Sequence, residues 1–334
     1  MKRVFFLLAL FVHTVFLFAA RAPAWVSDIE SEFPKNKYIA RLGSGSSADS
    51  ARTDAVGQIA SFFKSEVTVS TSASSTMRND GAKTEKNQQL ERSVSVMSDI
   101  TLTAVEYNSP YHDKWKKTYY VVAYIERTQG WQAIEPQIMR QKSKYGSFLE
   151  LAGKEAEPVM RYKYLVRAKD AGEELLSALY MGYLIDPSKK KEYRTFAEEL
   201  SQSQELGTLD SYRIPVLVEA TGDYENTIAS KVEDALKSYG FTPVSGRNAV
   251  HDATVRITIE SNMKSEDEIC TIFPEVSVSI LGKDGRTSFY SYHASWGKTV
   301  NFSLAQAQKK AFPKIAEEIR KTLAEDFWER FLLK

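Results

Sequence analysis

The sequence predicts an α+β protein: an N-terminal antiparallel sheet with a packed helix, a helical-hairpin connector, and a second α+β domain ending in a long helix. Three observations predict it. Val67 and Val69, then Val276, Val278 and Ile280, alternate with polar residues, the period of half-wet antiparallel strands. From Trp131 to Leu200 the apolar residues recur at helical spacing instead. At the C-terminus Ala307, Ala311, Ile315, Ile319, Leu323, Phe327 and Phe331 form one continuous helical stripe.

The 334 residues suit two domains of ordinary size, and 43% hydrophobic with 26% charged residues is a globular balance. Residues 1–24 differ in kind. Lys2 and Arg3 precede an apolar run from Val4 to Ala20, and Ala22-Pro23-Ala24 places small residues where a signal peptidase reads. This segment reads as a cleaved secretory signal with Trp25 opening the mature chain; the run is shorter than a comfortable membrane span needs. The attachment cysteine of a lipoprotein signal is missing, since Cys270 is the single cysteine, and one cysteine permits no internal disulfide. Its setting in EICTIF reads as a buried strand position. The 44 basic and 43 acidic residues nearly cancel, so no global charge draws the chain to nucleic acid or anionic lipid.

The first domain, 25–128, opens with the short strand Tyr38–Leu42, and Gly43 to Gly45 read as a tight exit from it. Ser46 or Ser47 caps a helix with Ala48, Ala51, Ala55, Ile59 and Phe62 or Phe63 on one face. Glu66 to Ser70 reads as a strand, and Ser70 to Gln89 as a polar loop or extended hairpin. Val94 and Val96, then Ile100 to Val105, then Tyr119 to Ile125 continue the sheet, the last two runs joined through a turn-rich loop, NSPYHDKWK.

The connector, 129–206, holds three helices. Pro158 fits the first turn of the second, Asp186-Pro187 ends it, and the third carries Tyr193, Phe196 and Leu200. The last domain, 207–334, runs from the strand IPVLVEA through a helix closed by Gly240 to a strand pair around Val255–Ile259 and Cys270–Phe273. Asp284-Gly285 then signals a hairpin, and Ser303 with Gln306 opens the final helix, which Pro313 either bends or marks as the true start.

Gly43, Gly45 and Ala48 satisfy G-x-G-x-x-A, and Glu66 lies near the acidic position of a dinucleotide fingerprint. That fold needs parallel, doubly buried aliphatic strands, whereas Arg41 interrupts the first strand here. Ser61-Phe62-Phe63-Lys64 matches S-x-x-K, but the S-x-N and K-T-G elements that would complete such a site are absent from the sequence. His112, His251 and His293 lack a second ligand at metal-binding spacing, and Glu266-Asp267-Glu268 lacks the pattern of a calcium loop. The expectation is a non-enzyme with no cofactor and no metal.

Surface remains. Tyr and Phe number 17 each, and several fall where a loop or helix edge exposes them: Tyr107, Tyr111, Trp115, Tyr180, Tyr183, Trp296 and Trp328. Aromatic side chains offer large, stiff contact area, which makes Tyr107, Tyr111, Trp115, Tyr183 and Trp296 the candidate partner-binding residues.

Trp25-Val26, the run YIARLGSG at 38–45, the Ala-rich helix with Ala48, Ala51, Ala55, Ile59 and Ala60, and the stretch around Val67 to Val69 resemble the LPP-twenty-like envelope lipoprotein family over residues 25–127. The resemblance implies a periplasmic or outer-membrane-associated α+β domain; a similar domain opens the flagellar assembly protein T. This chain lacks the lipidated cysteine that lipoprotein members carry just ahead of the Trp. The C-terminal domain resembles strand-helix-strand modules of periplasmic secretion and Tol-system proteins.

Together these features predict a periplasmic, non-catalytic envelope protein that docks onto other envelope proteins, in an outer-membrane or flagellar-base assembly. Homo-oligomers and peripheral membrane association are compatible with it; nucleic acid is not expected. The alternative is a periplasmic small-ligand or peptidoglycan-binding protein, or a hydrolase with an unfamiliar site.

Overall fold

The computed structural model describes residues 22–75, 104–244, 249–266 and 269–334. The architecture is α+β, with mostly antiparallel sheets and a long C-terminal helix. Residues separate into two compact units: one reaches to Gln137 and adds Ser177–Tyr193, and the other comprises Ile138–Leu176 and Arg194–Lys334.

In the first unit, helix α1 (Ala24–Ser27) leads to strand β1 (Tyr38–Gly45) and helix α2 (Ala48–Ser75). Strands β2 (Glu106–Tyr107), β3 (Tyr111–Asp113) and β4 (Thr118–Glu126) complete an antiparallel sheet in which β4 pairs with all three others. Register sets the two faces. Ile39 stands opposite Ile125 and Gly43 opposite Val121, so these residues face α2, whose Ala51, Ala55, Ile59 and Phe63 are buried. Ala40 and Val122 face the other way and pack with Trp25, which α1 lays on the sheet.

Several expectations are corrected here. Gly43 to Gly45 are strand residues rather than a sharp exit; a Cβ on Gly43 would stand 2.1 Å from the Ala51 carbonyl oxygen, so what the missing side chain permits is contact between helix backbone and sheet. Of the two serines expected as cap, Ser47 takes the role: its Oγ accepts the Ser50 N–H at 3.1 Å while Ser50 Oγ accepts the Ser47 N–H at 3.0 Å, a reciprocal box. Glu66–Ser70 is helical. Extending a nucleated helix by one residue costs little, and the β-preference of Val and Thr spans only about 1 kcal/mol, so the preceding helix overrides it. Ala104 and Val105 precede the paired strand, which begins at Glu106, and part of the loop 108–116 is strand β3. Val94, Val96, Ile100 and Leu102, with residues 76–89, lie outside the described residues.

Helices α3 (Arg127–Lys154), α4 (Pro158–Ile185) and α5 (Lys190–Gln202) follow, with Pro158 in the first turn of α4 and Asp186-Pro187 after its end, as expected. Within the first unit Arg127 secures the end of α4: its Nη1 donates to the Leu184 carbonyl at 3.0 Å and to that of Ile185, and its Nε to Lys35 O at 2.8 Å.

The second unit is built on a five-stranded sheet ordered β11-β10-β7-β5-β6. These are β5 (Ile214–Thr221), β6 (Phe241–Val244), β7 (Ala253–Glu260), β10 (Glu275–Gly282) and β11 (Ser288–Ser295). Helix α6 (Thr227–Lys237) joins β5 to β6, and β5 is parallel to both β6 and β7, which the strand-by-strand pattern did not anticipate. Helix α6 supplies the crossover that lets β6 lie parallel beside β5. One face carries Val216, Val255, Ile257, Val276, Val278 and Ile280 against α6 and the C-terminal helix α7 (Leu304–Asp326). All seven residues of the predicted C-terminal stripe are buried, and α7 runs through Pro313.

The strands at Val255–Ile259 and Cys270–Phe273 do not pair with each other, contrary to expectation. A second, three-stranded sheet is ordered β12-β9-β8, from β8 (Lys264–Glu266), β9 (Ile269–Ile272) and β12 (Thr299–Asn301). Its inward residues Cys270 and Ile272 join the main core.

Candidate functional site

The nucleotide-like motif is answered by geometry. β1 and β4 are antiparallel, the space beside Gly43 and Gly45 is filled by the backbone of α2, and the Ser44 N–H donates to Asp54 Oδ2 at 2.9 Å. A carboxylate already occupies the place where a phosphate would need a bare amide. Ser61 and Lys64 both lie on the exposed side of α2.

Each histidine among the described residues has a local partner. His112 stacks on Tyr119 with ring centroids 4.2 Å apart, His251 Nδ1 lies 2.9 Å from Ala249 O, and His293 Nδ1 lies 3.0 Å from Ser277 Oγ. Among the described residues no three His, Cys, Asp or Glu side chains converge as a metal set, and Cys270 is a buried thiol. Asp267 and Glu268 of the acidic triplet are outside the described residues.

The five candidate aromatics take different places. Tyr107 on β2 is exposed, with the Arg52 guanidinium 6.0 Å from its ring. Tyr111 is half-buried in the apolar group around Trp25 and stacks on Tyr120 at 6.4 Å. Trp115, at the β3–β4 turn, is 98% exposed. Tyr183 is half-buried, stacked on Tyr193 at 6.1 Å with Lys190 Nζ 5.9 Å from its ring. Trp296 packs against the second unit's core while its Nε1 donates to Glu318 Oε2 at 3.0 Å. Tyr107 aligns with Ala123 and Tyr111 with Tyr120, on opposite faces of β4, so the first unit's aromatics do not form one surface.

Two features were not singled out by sequence. The first is a group of exposed apolar residues on the outer face of the three-stranded sheet, a face they share by register with Thr271 and Lys264. Val300 on β12 stands opposite Thr271 of β9, and Ile269 lies two residues along the same outward face. Val300 is 40% and Ile269 45% exposed, and Phe302, one residue past β12, is 80% exposed. Met263 and Leu304 are also exposed at the margins. The outer edges of β8 and β12 pair with no further strand among the described residues. The legible signal was Val300-Asn301-Phe302, two apolar residues straddling a polar one just before the cap Ser303.

The second is a cavity of about 240 Å³ beside the edge strand β1, whose lining includes Ile29, Phe33, Ile39, Arg41, Phe62 and Arg127. Arg41 donates from Nη1 to Ala40 O at 2.8 Å and lies 4.5 Å from the Phe62 ring centroid. Burial lowers the pKa of Arg41, and also that of Arg127, where Asp186 opposes the effect.

No protein-family model matches the chain, and no curated protein does. Among solved structures it is similar to the secreted protein HP1454 from Helicobacter pylori, at 14% identity and TM-score 0.37, covering 84% of this chain and 97% of that one. It is similar also to a minor lipoprotein from Acinetobacter baumannii, at 10% identity and TM-score 0.23, covering 34% of this chain and 93% of that one. Lipoprotein GNA1162 from Neisseria meningitidis matches at 12% identity and TM-score 0.19, covering 32% of this chain and 97% of that one. None of the three reaches a TM-score of 0.5.

Proposed function

We propose that this chain is an exported, non-catalytic envelope protein that works by docking onto other envelope proteins. The observation that carries the reading is the outer face of the three-stranded sheet, where Val300 and Ile269, with Phe302 just past β12, are exposed beside strand edges that pair with no further strand among the described residues. Apolar area of this kind is stabilised by being covered, and an unpaired edge supplies backbone donors and acceptors for a partner strand. The leader pattern over residues 1–24 supplies the export half. The resemblance to LPP-twenty-like proteins makes an outer-membrane or flagellar-base assembly the finer form of the proposal. Proximity labelling in living cells tests it. The wild-type chain should mark a discrete set of envelope neighbours that Phe302→Asp loses at equal expression; the same set from both chains would remove the docking face.

The second reading, a small-ligand protein, is favoured by the cavity at Arg41. Its apolar walls and half-buried guanidinium suit a small anion with an apolar body. Thermal-shift titration with short-chain carboxylates should raise the melting temperature of wild type and not of Arg41→Met; no shift in wild type would dismiss it.

A further inference from the structure

We propose that the β3–β4 hairpin tip is a membrane-contact element that takes anionic lipid headgroups. This goes beyond the protein-docking reading and does not depend on it.

The turn reads Asp113-Lys114-Trp115-Lys116-Lys117. Of the chain's five tryptophans, Trp25 is 5% exposed, Trp131 and Trp296 are half-buried and Trp328 is 36% exposed; Trp115 alone, at 98%, is almost wholly in water. The backbone beneath it is fixed. Asp113 Oδ1 accepts the Trp115 N–H at 3.0 Å and the Lys116 N–H at 3.1 Å, and Lys117 takes a positive φ of 51° to close the turn. The strands below are held together by Tyr111 stacked on Tyr120 and His112 stacked on Tyr119. With its backbone held this way, only the two side-chain torsions of the indole remain to be ordered when it inserts.

Charge selects the partner. Lys114, Lys116 and Lys117 flank Trp115 in the turn and are all exposed. The turn's one acid, Asp113, is engaged by the two backbone amides and lies 3.9 Å from Lys116 Nζ. Among the described residues neither Lys114 nor Lys117 pairs with a carboxylate. An indole has an apolar body and one N–H donor, which suits the boundary between headgroups and acyl chains. Lysines beside it meet the negative surface of an anionic leaflet, each strengthening binding about fivefold. One residue of this size gives a weak, reversible contact, additive with any other attachment the chain has. The near-neutral total charge concealed this local excess.

The test is flotation of the full exported chain with vesicles of phosphatidylcholine alone and with a third of the lipid replaced by phosphatidylglycerol. Wild type should float with the anionic vesicles at low salt and be released by high salt. Trp115→Ser should weaken binding about tenfold, and the triple change Lys114→Glu, Lys116→Glu, Lys117→Glu by on the order of a hundredfold. Trp115→Phe and the triple Lys→Arg chain should retain most of it, which separates loss of chemistry from loss of fold. Brominated lipid should quench a fluorescence component that is present in wild type and absent from Trp115→Phe. Equal flotation of wild type and the Ser and Glu variants, equal flotation with neutral and anionic vesicles, or no flotation of wild type at low salt would each overturn the proposal.

Discussion

Gly43 lies directly beneath Ala51: a Cβ built at residue 43 would stand 2.1 Å from the Ala51 carbonyl oxygen and 2.3 Å from the Ala55 nitrogen. No side-chain rotation relieves a clash with helix backbone, so α2 would have to lift from the sheet. Gly43→Ala should therefore destabilise the first unit by about 3 kcal/mol. Gly57 is exposed on the same helix, and a methyl group there would have nothing within 4 Å. It should respond oppositely, Gly57→Ala gaining about 0.5–1 kcal/mol. Urea denaturation of the two variants checks the opposed signs.

Tyr290 donates its hydroxyl to Asp326 Oδ2 at 2.6 Å, joining β11 to the end of α7, while Arg330 Nη1 holds Asp326 Oδ1 at 2.9 Å. Burial first, and the Asp326 hydrogen bond next, push the phenol's pKa far upward, so it stays a neutral donor. Tyr290→Phe removes that donor without opening much space. The expected loss is about 2 kcal/mol, read as a lower urea midpoint with an unchanged slope.

Asp284 closes the β10–β11 turn. Its Oδ1 accepts the N–H groups of Arg286 and Thr287, each at 2.9 Å, and its Oδ2 the Thr287 hydroxyl at 2.8 Å; these bonds hold its pKa below the usual aspartate value. A depressed carboxylate stabilises the fold fully above its unfolded pKa and loses that contribution as pH falls through the native one. The melting-temperature advantage of wild type over Asp284→Ala should hold constant from neutral pH to about pH 4 and shrink below. An advantage that grew on acidification would contradict this account.

Trp25 is buried on the sheet face formed by Ala40 and Val122. Trp25→Ala should cost about 3–5 kcal/mol. Hydrogen exchange should localise the loss, with faster exchange at β4 amides and little change at β7 or β10.

Local signals carried the helices far. The stripe from Ala307 to Phe331 is a long repeat with one solution, since any other conformation would expose it. Pro158 and Asp186-Pro187 marked α4 because proline acts on backbone geometry whatever surrounds it. Glu66–Ser70 misled because five β-branched and polar residues look alike in an isolated strand and in the tail of an established helix. Of the candidate aromatics, Trp115 was legible as a turn residue; that Tyr111, Tyr183 and Trp296 are half-packed was not, because burial depends on partners distant in sequence.

By itself the sequence determined the α+β class, the order of most elements and the polarity of each helix face, since these follow from periodicity, caps and breakers acting over a few residues. Only the tertiary structure decided that Gly43 serves helix contact, that β5 runs parallel to β6 and β7, and that Val300 and Ile269 share an outer face. Each of these is a relation between segments far apart in the chain. Such relations are set by which surfaces exclude water together, and no local pattern records that.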